Sequence, residues 1–138
     1  MTDGVLDDAR TPSFVLRVLA DRLAVCRVDR AEAVPGWAGG TGLFSVTRTA
    51  DELSLVCEEA RVPASVTAER GWRALMVQGP LEFSMVGVLA ALAGVLAEAR
   101  VSIFVLSTYD TDYVLVKETQ LEGTLEALQR AGHQVVFA

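Results

Sequence analysis

Apolar and polar positions alternate along most of this chain, in short runs separated by glycine, proline or charged residues. Alternation with a period of two is typical of half-buried β-strands, whereas apolar positions that recur every three to four residues indicate helices. The runs predict eight strands, over residues 14–19, 23–28, 43–49, 53–59, 72–78, 102–107, 112–117 and 134–138. Residues 20–22, Ala-Asp-Arg, are predicted to form a tight turn between the first two strands.

Two segments have helical patterns. Residues 83–100 are apolar on nearly every face, so we expect this helix to be covered on most sides. Residues 120–131 carry one leucine stripe, preceded by a capping-box pattern at Thr119 and Glu122 and followed by Gly132, which suits the C-terminal cap. Residues 62–70 are at most weakly helical. The order over the second half is therefore βαββαβ.

A strand–turn–strand unit occurs twice at a spacing of 60 residues, which aligns Phe44 with Phe104 and Glu58 with Glu118. We therefore predict an α+β, ferredoxin-like fold in which antiparallel sheets carry helices on one face. The plan would be built with reduced helices over residues 12–70 and in full over 71–138, after a flexible tail over 1–11.

Composition limits the function classes. The chain has 138 residues, of which 51% are hydrophobic, so it can form a real core. Its net charge is −6 and only one of its twelve basic residues is lysine, which makes nucleic acid a poor candidate partner. The start lacks a signal-peptide pattern, and the longest nearly uncharged run, 83–97, is shorter than a membrane span. Two isolated cysteines fit a reducing cytoplasm.

Two loops are candidate sites. The loop after the strand 72–78 precedes a helix, whose free N–H groups and positive dipole end suit a carboxylate; Glu82 and Ser84 could instead simply cap that helix. The turn 108–112 offers Asp110 and Asp112 beside the aromatic ring of Tyr109, which together could hold an ammonium group. An ordinary Asx-type turn would also explain these residues. Both sites together would suit an α-amino acid.

Catalysis has little support in the sequence. His133 is the only histidine and has no partner nearby in sequence, and neither cysteine lies in a nucleophile-like context. No phosphate-binding, dinucleotide-binding or metalloprotease motif occurs. We therefore expect a protein that is not an enzyme and that uses neither a cofactor nor a metal.

The segment 72–118 resembles the ACT-domain family of small-molecule sensors, in the branch of aspartokinase-type regulatory domains and the cytosolic arginine sensors of the CASTOR group. The matching motifs are Gly-Pro-Leu at 79–81, Ser-Thr-Tyr at 107–109 and Asp-Tyr-Val-Leu-Val at 112–116. The resemblance is strong over 72–138 and weaker over 13–70. It implies tandem ACT units and ligand binding without chemistry.

The resemblance also implies how a ligand is held, between two ACT units of a cytoplasmic homodimer. The loop between the strand 72–78 and the following helix would bind the backbone end of an amino acid, through Leu81, Glu82, Phe83 and Ser84. The turn, from the partner chain, would complete the pocket through Thr108, Tyr109, Asp110, Thr111 and Asp112. The acidic turn favours a basic amino acid. The downstream protein partner is not specified, and the alternative is a protein-interaction or structural module without a metabolite ligand.

Overall fold

The computed structural model describes residues 13–78 and 87–138. In that part of the chain seven strands form one sheet in the order β2-β3-β1-β4-β6-β5, with β7 also paired to β1. The strands are β1 (Val15–Val28), β2 (Ser45–Arg48), β3 (Leu53–Glu58), β4 (Thr67–Val77), β5 (Ile103–Ser107), β6 (Asp112–Lys117) and β7 (Gln134–Phe137). The helices are α1 (Val88–Glu98) and α2 (Leu121–Arg130).

The helices cover one face of the second half of the sheet, as predicted. Leu92 and Leu96 of α1 and Leu128 of α2 join one core cluster with strand residues such as Leu16 and Val114. In the first half only two single turns of 3-10 helix occur among the described residues, at Gly36–Ala38 and Glu59–Arg61. The α+β, ferredoxin-like plan with a reduced first copy is therefore confirmed. All strand pairs are antiparallel except β1 with β7.

The predicted turn at 20–22 is wrong, because β1 runs unbroken from Val15 to Val28. A register shift against β4 between Val18 and Arg22 bulges the strand there and leaves residues 20–22 exposed. A polar exposed triplet therefore gave the signal of a turn. The first part of β1 pairs with β7 and its second part with β3, while β4 lies along its other side. The domain division at 70/71 stays a prediction, since β1 contributes to both halves.

Residues 67–70 are also strand rather than weak helix. Thr67 and Ala68 pair with Arg27 and Cys26 of β1, which extends β4 to eleven residues. Pairing with β1 thus outweighs the weak helical preference of these residues.

The boundaries of α2 show both a correct and an incorrect prediction. Gln120 occupies the N-cap position without a side-chain hydrogen bond, so the predicted capping box at Thr119 does not form. Gly132 has a left-handed backbone with φ of 97°. Its amide donates to Gln129 and that of His133 to Leu128, which is the Schellman arrangement. The glycine cap is confirmed.

The Gly-rich connection 34–42 packs against the end of β3. A Cβ at Gly40, whose φ is 129°, would lie 2.5 Å from Oε1 of Glu58. We expect Gly40→Ala to lower the free energy of unfolding by about 1–3 kcal/mol, because both the backbone conformation and the contact oppose a side chain. Urea denaturation measures this loss. Gly36→Ala is the matched control, since nothing lies within 4 Å of its Cβ position; equal effects of the two changes would contradict the expectation.

His133 joins the start of β1 to the turn after α2. Its Nδ1 accepts a hydrogen bond of 3.1 Å from the backbone N–H of Phe14, and the two rings stack at 5.7 Å. Burial lowers the pKa of His133 below its usual value of about 6.5. The unfolded chain therefore takes up a proton at a higher pH than the folded protein does.

We expect the stability contributed by His133 to be complete above about pH 6.5 and to decline as the pH falls through the lower folded pKa. Denaturation midpoints at a series of pH values between 7.5 and 5.5 measure this decline. His133→Asn retains an acceptor without a titrating group, so its profile should be flatter. A decline of the same size in that variant would assign the effect to other groups.

Candidate functional site

The described part of the predicted site, the turn 108–112, lies at the end of the sheet where β4 and β5 finish and β6 begins. Leu81, Glu82, Phe83 and Ser84, predicted to hold the backbone end of a ligand, lie outside the described residues. They belong to the segment between the last residue of β4, Val77, and α1. Gly87 occupies the N-cap position of α1 with a left-handed backbone, at φ of 83°.

The turn from Thr108 to Thr111 is closed by hydrogen bonds between its two threonines. The amide of Thr108 donates to the carbonyl of Thr111 at 2.8 Å, and the amide of Thr111 donates to Oγ1 of Thr108 at 3.3 Å. Next to the turn, the hydroxyl of Ser107 donates to the carboxylate of Asp112 at 2.6 Å. The Asx-turn alternative is thus replaced by a threonine-centred turn.

The turn residues divide into two groups. Tyr109 is 80% exposed, and Asp110 is exposed and makes no ion pair with any described residue. Thr111, in contrast, is buried, and its hydroxyl donates to the carbonyl of Val77. The structure therefore brings all five predicted turn residues together, with Tyr109 and Asp110 the most accessible to a ligand.

The internal repeat has a spacing of 59 residues rather than 60. β3 begins at Leu53 and β6 at Asp112, and each is six residues long. The turns agree, since the amide of Thr49 donates to the carbonyl of Glu52 as that of Thr108 does to Thr111. The correspondence at 60 is therefore wrong. A slip of one residue along a strand exchanges its two faces.

The equivalent turn in the first half is occupied by an arginine of the chain itself. The guanidinium of Arg27 donates to the carbonyl of Asp51 at 3.3 Å and lies 3.6 Å from the carboxylate of Glu52. Arg30 adds a hydrogen bond of 3.1 Å to the carbonyl of Thr49. These contacts within the chain give the first turn a structural role.

The second turn has no such arginine at the equivalent strand position. Arg27 pairs in register with Ser54, and at a spacing of 59 residues Ser54 corresponds to Tyr113. The residue paired with Tyr113 is Met76. Met76 therefore takes the place of Arg27, and Asp110 takes the place of Asp51. Sequence reasoning missed Arg27 and Met76, and only the correct spacing of the repeat could have identified them.

The two cysteines and Trp37 lie in structural surroundings. Cys26 and Cys57 are free and buried, and burial raises the pKa of Cys26 to about 11, so its thiol is a poor nucleophile. Trp37 packs against the core of the first half, and Arg61 donates to its carbonyl. Over residues 13–78 and 87–138, no cluster of metal-ligating side chains occurs and no helix is long and apolar enough to cross a membrane.

Two family models match the chain. One, described as an ACT domain, matches residues 67–130, and a second, which describes an N-terminal domain, matches residues 21–65. The cytosolic arginine sensor for mTORC1 subunit 1 from Bos taurus is 29% identical over 133 residues, covering 89% of this chain and 40% of that protein. The chain thus spans about two fifths of the length of such curated relatives.

Solved structures confirm the predicted fold class. A protein from Agobacterium tumefaciens is 38% identical, with a TM-score of 0.88 over 93% of this chain and 96% of that chain. Aspartate kinase from Clostridium acetobutylicum is 14% identical, with a TM-score of 0.61 over 81% of this chain and 33% of that chain. The second likeness shows the fold alone. Together with the strand order, these matches agree with tandem ferredoxin-like ACT units.

Proposed function

Because this chain belongs to the ACT-domain family, we propose that it is a non-catalytic regulatory protein that binds a small amino acid and reports it to another protein. An arginine sensor among its relatives supports binding of an amino acid. An aspartate kinase shares its fold over a third of that enzyme's chain. A change in dimer geometry on binding would carry the signal.

The contrast between the two turns is the observation that carries this proposal. In the first turn a guanidinium from Arg27 meets a backbone carbonyl and a carboxylate. The second turn repeats the backbone, has the exposed carboxylate of Asp110, and has Met76 in place of the arginine. A basic side chain brought by a ligand would donate to the carbonyl of Asp110, as Arg27 does to that of Asp51, and would pair with the carboxylate of Asp110 in place of that of Glu52. A basic amino acid is therefore the favoured ligand.

The rest of the pocket follows the family arrangement. Residues 81–84 of one chain would bind the carboxylate and amino groups of the ligand, and the turn 108–112 of a second chain would complete the site. The proposed unit is accordingly a cytoplasmic homodimer. That each chain corresponds to about two fifths of an arginine sensor is compatible with two copies acting together.

The function is tested by a thermal-shift screen of the dialysed protein against the twenty amino acids. A specific ligand at a hundredfold excess over its Kd stabilises the protein by about 2.7 kcal/mol. We expect a rise with L-arginine or L-lysine, and a smaller rise for Asp110→Asn, which keeps the size of the side chain but removes its charge. Ser102→Asn, a change outside the turn, is the control variant.

No shift with any amino acid would contradict ligand binding and favour the interaction module. Sedimentation with and without the active amino acid then tests the dimer. A monomer that binds its ligand at full affinity would contradict the shared pocket.

A further inference from the structure

The last residue of the turn, Thr111, has its polar groups engaged within the protein. Its side chain is buried, and its hydroxyl donates to the carbonyl of Val77. Its amide donates to Oγ1 of Thr108, and its carbonyl accepts from both the amide and the hydroxyl of Thr108. Burial leaves little of Thr111 accessible to a ligand.

The hydroxyl of Thr111 connects the turn to the strand that leads into residues 81–84. Val77 is the last residue of β4 and is fully buried. The contact joins positions 34 residues apart, so it is not a by-product of the local turn. Because a buried hydrogen bond is costly to leave unmade, it fixes the turn against the end of β4.

The first turn lacks this connection. The residue equivalent to Thr111 is Glu52, whose carboxylate meets the exposed guanidinium of Arg27 instead of a strand carbonyl. The first turn is thus held by a solvent-exposed ion pair, whereas the second is held by a buried hydroxyl. Asp110 and Tyr109 of the second turn are exposed, while the turn itself is fixed by the buried hydroxyl.

We propose that Thr111 is a positioning residue, which holds the turn against β4 and does not itself contact the ligand. The binding part of this inference rests on the proposed function; the anchoring part does not. Holding Asp110 in one place before a ligand arrives would lower the ordering cost of binding.

The test compares two variants. Thr111→Val keeps the shape of the side chain but removes the hydroxyl, and Thr111→Ser keeps the hydroxyl. Thr124→Val is the matched control, because Thr124 is also buried and donates to the carbonyl of Gln120 at the start of α2. Amide hydrogen exchange of Thr108 and Thr111 is measured in the ligand-free protein. Isothermal titration with L-arginine then gives the affinity.

We expect Thr111→Val to speed exchange of both turn amides about tenfold and to weaken L-arginine binding by a similar factor. Thr111→Ser and Thr124→Val should leave both quantities close to those of the unchanged protein. Unchanged exchange in Thr111→Val, or fast exchange with unchanged affinity, would overturn the inference. If the unchanged protein binds no amino acid but the exchange pattern follows expectation, the proposed function fails and the anchor stands.

Discussion

Met76→Arg is expected to abolish the response of this protein to L-arginine. The new guanidinium would occupy the strand position that Arg27 has in the first half, and would donate to the carbonyl of Asp110 from within the chain as Arg27 does to that of Asp51. An internal group competes at an effective concentration that a free ligand cannot match, typically millimolar or higher. Isothermal titration of the variant should therefore show no heat of binding where the unchanged protein shows saturation.

Two variants control for this result. Met76→Leu removes the thioether without adding charge and should bind L-arginine normally. Arg27→Met makes the reverse change in the first turn and should leave binding at the second turn intact. Arg17 lies opposite Met76 on β1, so like-charge repulsion of about 0.2–1 kcal/mol is expected in Met76→Arg and is checked by its melting temperature. Full affinity in a folded Met76→Arg would show that the ligand side chain does not bind at this turn.

Leu115→Ala is expected to have the largest effect on stability, a loss of about 2–5 kcal/mol. Leu115 is completely buried, in a cluster that contains Leu23 and Val56 of the first half together with Trp72 and Ala74 of the second. A cavity there removes contacts from both halves at once. Urea denaturation followed by circular dichroism measures the loss, as a lower midpoint with an unchanged slope.

The cluster shared by the two halves also predicts which strands become less protected from hydrogen exchange in Leu115→Ala. Hydrogen exchange should become faster in β3 as well as in β6, because the two halves unfold as one cooperative unit. Val34→Ala is the control, since Val34 is 45% exposed and its truncation should change stability by less than about 0.5 kcal/mol. Faster exchange confined to the second half of the sheet would show that the halves unfold independently.

Local patterns predicted the second half of the fold well. β5, β6 and β7 lie within one residue of their predicted bounds, because alternating apolar positions there coincide with sheet pairing. The first half was harder to predict. The exposed triplet at 20–22 inside β1 has the composition of a turn, and pairing with β4 on both sides of it keeps the strand continuous.

The candidate site was predicted in composition but not in geometry. Ser107 to Asp112 carries a visible cluster of hydroxyl, aromatic and acidic groups, and the structure brings these together in one turn. The error of one residue in the repeat had a physical origin. Aligning similar apolar residues at a spacing of 60 pairs Leu55 with Leu115, although these two residues belong to cores on opposite faces of the sheet. The correct alignment depends on which face of each strand is buried, and residue identity alone does not give this.

Pairing of β1 with β7 also has a consequence for how fast the chain folds. The amide of Gln134 donates to the carbonyl of Phe14, so this contact joins positions 120 residues apart in sequence. Contacts between neighbouring residues therefore cannot complete the sheet. The entropy cost of closing a large loop comes before the stabilisation that pairing of β1 with β7 provides. Folding should be slow for a chain of this size. Until β7 pairs with β1, Leu16 and Val18 can form non-native contacts. A chaperone-dependent yield during synthesis would be the cellular sign of this topology.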